Sequence, residues 1–319
     1  MIKINKILSI SAFVLLSVGC APSSYVVKSP SQSNMPYQAV NVKSPLELSF
    51  ADKRESASSF STGVLKADLV LDGKQFDSIQ FIKDHTIREI QARGIDIKLA
   101  ESENADVNIN KLVMKNHRTN AYTPFITLTM LSADIVNNGQ KERVAVFIKR
   151  GKVPVWSFDE IINPTLNEPL ELLIKEFSAK LTANLYAAKL SDNEVLALIA
   201  RLSNRANKEL SYLDVYELGF SNNIKAATYL RDLTKSDDEY VRMAAISSLG
   251  ILKDQASLLL LKDLSKSAKT WTDRAMALKS IGDIGGEEAT AFLRDKKVEL
   301  EGQDSKEELW STEIIDLYL

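Results

Sequence analysis

One spacing constrains this chain more than any other feature. Leu218-Gly219, Leu249-Gly250 and Ile281-Gly282 recur at intervals of 31 and 32 residues, and Leu230, Leu261 and Leu293 each follow their glycine by eleven positions. Two of the units also carry an arginine eight before the glycine (Arg242, Arg274) and an alanine five before it (Ala245, Ala277). A unit of this length holds two short helices and cannot bury its own apolar side, so neighbouring units must stack into an array. The alanines predict close approach of adjacent helices. The glycines predict left-handed residues that end the first helix of each unit.

The helices that begin at Asp238 and Asp273 and run to Gly250 and Gly285 resemble the short HEAT-like repeats also found in phycobilisome lyases. The resemblance implies an all-α solenoid over residues 191–319, with a protein partner held on its surface. It also implies that Arg242 and Arg274 pair with acidic groups of the same or the next unit, a structural rather than a ligand-binding role. The first unit is degenerate, with Ser211 at the arginine position and Asp214 at the alanine position. That is expected of a unit that caps the array or packs on another domain. Ser191-Asp192-Asn193-Glu194 is a capping box that opens a helix ahead of the repeats, and the run from Leu309 to Leu317 closes them.

The opposite end reads as an address. Lys3 and Lys6 precede an uncharged run from Ile7 to Gly19, which is too short to span a bilayer and fits a secretory signal peptide over residues 1–19. Leu15-Leu16-Ser17-Val18-Gly19-Cys20 resembles a bacterial lipobox, although Ser17 replaces the usual large aliphatic residue. The resemblance implies acylation of Cys20, the only cysteine of the chain, and a membrane anchor. Ala21 rather than aspartate after the cysteine resembles the signal for the outer membrane, on its periplasmic side. Residues 20–45 are rich in Ser and Pro and read as an extended tether.

Residues 46–190 read as an α+β domain, a mostly antiparallel sheet with two helices. Leu46–Phe50, Ile95–Leu99, Phe125–Leu131 and Val144–Ile148 carry strand signals, with Asn137-Asn138-Gly139 as a hairpin turn. One helix starts at Asp77 or Ser78, buries Ile79, Ile82, Ile87 and Ile90, and stops at Gly94; a second starts near Asn167 with Leu170, Leu173, Ile174, Phe177, Leu181 and Leu185 as its stripe. The stretch Arg93-Gly94-Ile95-Asp96-Ile97 followed by Ala105-Asp106-Val107-Asn108-Ile109-Asn110 resembles small YajG-like envelope lipoproteins. That resemblance implies a periplasmic accessory role and transfers no catalytic residue.

Little points to chemistry. The chain has two histidines, His85 and His117, far apart and without a second ligand at helical spacing. No zinc, phosphate-loop or nucleophile-elbow motif occurs. Neither histidine is therefore assigned a metal, and both are expected to be solvated or locally hydrogen-bonded. Asp237-Asp238-Glu239 reads as a helix start rather than a cation site, and Trp156 and Trp271 as packing or rim aromatics. Forty basic against forty-two acidic residues, spread along the chain, give no basic footprint for nucleic acid. The expectation is a non-enzymatic lipoprotein without cofactor, acting as a scaffold in an envelope complex. A binding module with a pocket in the α+β domain is the alternative, and a cell-wall hydrolase a third.

Overall fold

The computed structural model describes residues 24–38, 45–55, 59–64, 68–120, 122–137, 139–203 and 211–319. Cys20 and the expected signal segment lie outside these residues. An N-terminal mixed α/β region is followed by a run of helices stacked as a HEAT-like array.

The first strands are β1 (Ser24–Val27), β2 (Leu46–Asp52), β3 (Ser61–Gly63), β4 (Asp68–Leu71) and β5 (Lys74–Gln75). Helix α1 (Ser78–Ala92) follows, with the Asp77 carboxylate accepting from the amides of Ile79 and Gln80, and Gly94 beyond its end at φ +84°. Strands β6 (Ile97–Ala100), β7 (Val107–His117), β8 (Phe125–Asn137) and β9 (Gln140–Lys152) complete the sheets. The larger sheet has the order β6-β2-β7-β8-β9, and β3 also pairs with β7. Two long antiparallel ladders, β7 with β8 and β8 with β9, form its body. At the turn end of the latter Asn137 pairs with Gln140, and Gly139 sits at φ +78°. The pairings of β2 with β6, β2 with β7 and β3 with β7 are parallel. Parallel neighbours need a crossover, and α1 supplies it between β2 and β6. Strand periodicity carries no information about that direction, so only the antiparallel part was legible beforehand.

The segment expected as a tether is folded where it is described. Strand β1 pairs in parallel with β4, and Tyr37 and Ser33 are buried. Its scarcity of apolar side chains is offset by polar capture: Lys28 N donates to Asn167 Oδ1 at 2.9 Å, Ser31 Oγ to Glu171 at 2.6 Å, and Ser33 N to Glu89 at 3.0 Å. Tyr37 then donates to the carbonyl of Phe220 at 2.7 Å. The α+β body thus includes residues 24–38, ahead of the expected boundary at residue 46.

Helix α2 (Glu168–Tyr186) lies against α1, β8 and β9, and buries Leu170, Leu173, Ile174, Phe177 and Leu181 of its predicted stripe, with Leu185 half-buried. The array comprises α3 (Asp192–Ser203), α4 (Tyr212–Phe220), α5 (Ala227–Leu233), α6 (Glu239–Ile251), α7 (Leu258–Ser267), α8 (Trp271–Ile284), α9 (Gly286–Leu300) and α10 (Lys306–Ile315). The sheet is covered on both faces. Leu112, Met114, Leu131, Ala133, Val146 and Ile148 pack in the core that contains α1 and α2. Val113, Leu128, Met130, Ala145 and Phe147 join Met243, Ile246, Met276, Ile314 and Leu317 of the array. The core therefore does not stop at residue 190: the solenoid is built onto the second face of the sheet.

Candidate interaction surface

The repeat geometry comes from small residues. Gly219, Gly250 and Gly282 are helical residues in the last turns of α4, α6 and α8, one or two positions before the helices end. A Cβ on Gly219 would stand 2.5 Å from Ser248 Oγ, and one on Gly250 2.5 Å from Ser280 Cα. The glycines are contact points between successive first helices. The same serines repeat one hydrogen bond, Ser248 Oγ to the Val215 carbonyl at 3.3 Å and Ser280 Oγ to the Ile246 carbonyl at 2.8 Å. Gly282 receives the Tyr318 ring in place of a further helix, so the C-terminal residues close the stack. The left-handed role expected of the glycines falls three positions later, on Asn222 (φ +53°), Lys253 (φ +51°) and Gly285 (φ +68°). The glycine needed for close packing and the residue needed for chain reversal are thus different residues. Ala245 and Ala277 are fully buried beside these contacts.

The two repeat arginines occupy identical settings. Arg242 donates to the carbonyls of Ser236 and Asp237 and to Asp273 of the next unit at 3.0 Å. Arg274 donates to the carbonyls of Ala268 and Lys269 and to Glu307 of α10 at 3.1 Å. Each ties its own inter-helix loop to the following helix. The first unit differs because it meets the α+β body: Glu217, at the position of Ser248 and Ser280, accepts from buried Arg93 at 3.1 Å and from Lys175 at 3.4 Å.

Two polar junctions lock the array to the sheet. In one, the buried side chains of Glu176 and Lys180 from α2 meet Lys279 and Asp283 from α8. Lys279 lies 2.7 Å from Glu176 and 2.9 Å from Asp283, and Lys180 lies 2.6 Å from each of these carboxylates. Lys180 also donates to the carbonyl of Ala145 in β9 at 2.6 Å, and Tyr318 to Asp283 at 2.8 Å. Burial opposes the charge of Lys279, but Asp283 and Glu176 outweigh it and hold this lysine above its ordinary pKa. Burial likewise opposes ionisation of Asp283, and the two ammonium groups pull its carboxyl below the usual range. Burial dominates at Lys180, whose pKa is lowered. In the second junction Arg150 lies between the rings of Tyr212 and Tyr240, 4.1 and 4.3 Å from their centroids, and donates to Glu168 at 2.5 Å. Lys149 meets Glu239 at 3.0 Å beside it.

With α4, α6 and α8 engaged on the sheet side, the second helices α5, α7 and α9 form the outward layer. Leu230, Leu261 and Leu293 anchor them inward. The next two residues repeat in all three units: Arg231-Asp232, Lys262-Asp263 and Arg294-Asp295. Arg231 pairs with Asp254 at 2.7 Å and Lys262 with Glu288 at 2.6 Å, while Asp232, Asp263 and Asp295 are exposed at equivalent positions. Leu259 and Val298 are also exposed on this layer. The triplet is visible in the sequence, eleven to thirteen residues after each repeat glycine, and the two charged positions extend the period of the leucines.

Elsewhere a cleft of about 490 Å³ opens at the start of α1, between Arg54, Phe60, Asp68, Gln75, Phe76 and Ser78. Its wall is more polar than an apolar ligand pocket. Arg54 there is held by a two-point contact with Asp52 at 2.8 Å. His85 is buried rather than solvated, 4.5 Å from the Phe81 ring, and burial lowers its pKa. His117 packs on Trp310 at 5.4 Å with Lys306 3.3 Å away, and burial and that lysine lower its pKa. Trp271 packs on Trp310, but Trp156 is 92% exposed and packs nothing. Among the described residues no group of His, Cys, Asp or Glu is placed to hold a metal ion, and no helix is long and apolar enough to cross a membrane.

No curated protein matches this chain. Residues 195–281, from α3 into α8, match the family of HEAT repeats, whose members generally mediate protein interactions as non-enzymatic scaffolds.

Proposed function

We propose that the chain is a lipid-anchored envelope protein that presents its solenoid to a protein partner and performs no catalysis of its own. The observation that carries this reading is the division of labour within the array: one helix layer is consumed by the sheet, while the outward layer α5, α7, α9 repeats an exposed aspartate at a fixed position. A surface held rigid by junctions beneath it loses little entropy when a partner docks. The anchor rests on Cys20 in its lipobox-like setting, and a periplasm-facing outer membrane fits Ala21. In an envelope without an outer membrane, the extracytoplasmic face of the cell membrane takes its place. Crosslinked pull-down with Asp232→Lys, Asp263→Lys and Asp295→Lys combined tests the surface: loss of a wild-type partner supports it, and an unchanged partner set rejects it. Deleting residues 205–319 would not serve, since it would strip one face of the sheet. Palmitate labelling that persists in Cys20→Ser would remove the anchor.

A second reading rests on the cleft at the start of α1. A small polar molecule or glycan would fit its Arg, Asp, Gln and Ser lining better than a lipid. Native mass spectrometry of the purified protein reads it directly, through an added mass that is lost in Gln75→Ala.

A further inference from the structure

At one end of the molecule two loops display apolar side chains to solvent without packing them. Trp156 is 92% exposed, Val155 67% and Val153 39%, immediately after β9, and Tyr122 is 91% exposed in the loop before β8. Phe125 pairs with Lys152, so the two loops leave adjacent strands side by side. Both are stiff. The Glu160 carboxylate accepts from the amides of Val155, Trp156 and Ser157 at 2.9, 2.8 and 3.2 Å. In the other loop, Tyr122 N donates to Asn120 Oδ1 at 2.9 Å, and Thr123 Oγ1 accepts from the amides of Thr119 and Asn120. Apolar side chains exposed singly need no explanation, but a group of them on neighbouring loops marks a contact with protein or membrane, and Trp and Tyr favour the boundary between lipid and water.

The path of the N-terminal segment identifies the cover. Gln38 N bonds to the Lys189 carbonyl past the C-terminal end of α2, and Lys28 N to Asn167 at its start. Residues 38 back to 28 therefore run the length of this 19-residue helix, about 28 Å. Before Lys28 the chain still belongs to the fold as β1, which lies beside β4 and against residues 163–167, the segment that joins Val153–Trp156 to α2. Cys20 precedes Ser24 by four residues, within about 14 Å along the chain. On the reading that Cys20 is acylated, we propose that Tyr122, Val153, Val155 and Trp156 form a membrane-contacting tip that dips into the headgroup layer beside the lipid anchor. The tip fixes the orientation of the body, which a flexible anchor by itself would leave free to tumble.

The test uses the acylated full-length product in vesicles of phosphatidylethanolamine and phosphatidylglycerol with brominated acyl chains, which quench tryptophan at close range. Flotation reads the anchor and quenching reads the tip. The wild type is expected to float and to lose the share of emission that one of its three tryptophans supplies; Trp156→Ala is expected to float equally and show none of that loss. Floating protein whose quenching is absent, or equal in wild type and Trp156→Ala, overturns the tip and leaves the anchor standing. A wild type that does not float, or a Cys20→Ser variant that floats as well as wild type, overturns the anchor and with it the argument for the tip. Circular dichroism of Trp156→Ala confirms the fold, which an exposed side chain does not support.

Discussion

Lys279→Met probes the junction on which the two-part architecture depends. The wild-type cluster is balanced, with Lys180 and Lys279 against Glu176 and Asp283, all of them buried. Methionine keeps most of the lysine's length and apolar stem, so the cavity contribution is small. What remains is two carboxylates sharing the Lys180 ammonium, and Ser247 Oγ without the donor that lay 2.7 Å away. Removing one member of a buried ion cluster typically costs about 3–5 kcal/mol, because the remaining charge stays desolvated. With an m-value of about 3 kcal/mol/M, the urea midpoint should fall by roughly 1–1.7 M. Adding Glu176→Gln leaves one lysine and one aspartate, so the double variant should recover part of the loss, with a coupling of about 1–3 kcal/mol. Equilibrium unfolding in urea of the four proteins of this cycle measures it. A Lys279→Met cost below about 1 kcal/mol, or strictly additive singles, would refute the claim that this cluster joins the solenoid to the sheet.

Gly250→Ala gains helix propensity of about 1 kcal/mol but meets Ser280 Cα at 2.5 Å. The backbone contact wins, and a net loss of about 1–3 kcal/mol is expected in thermal unfolding; the same change at an exposed helical site would stabilise. Arg150→Met should cost about 1–3 kcal/mol by leaving Glu168 and two tyrosine faces without their cation, and urea unfolding checks it. Acid should destabilise the fold. The carboxyls of Asp134, Glu171, Glu239 and Asp283 are all pulled down by neighbouring lysines, an arginine or a serine hydroxyl against the effect of burial. A depressed folded-state pKa gives stability that is present above the unfolded value, near 4, and is lost as the pH falls through the folded value. Urea midpoints at neutral pH should therefore exceed those below about pH 4, and midpoints that stay flat would show that these carboxylates are not more acidic in the fold.

Local structure and the class of the C-terminal helical region can be read from residue order alone. The caps at Asp77, Ser191 and Asp238, the stripe of α2, the hairpin at Gly139 and the period of the repeats all rest on interactions between residues near one another in the chain. Local chemistry is enough to read those. The tertiary structure decided what each repeated residue is for. A glycine in a helical pattern looks like a terminator until the neighbouring helix shows Ser248 or Ser280 against it. Glu176, between Ile174 and Phe177, and Lys279, between Leu278 and Ile281, carried a readable warning, since a charge inside an apolar run must find an opposite partner. Each has one partner four residues on, Lys180 and Asp283, which the sequence offers, and a second more than a hundred residues away, which only folding brings up. The Ser/Pro segment misled for the complementary reason: composition reports how little a stretch can bury, whereas Lys28, Ser31 and Ser33 are held by polar groups that only folding delivers.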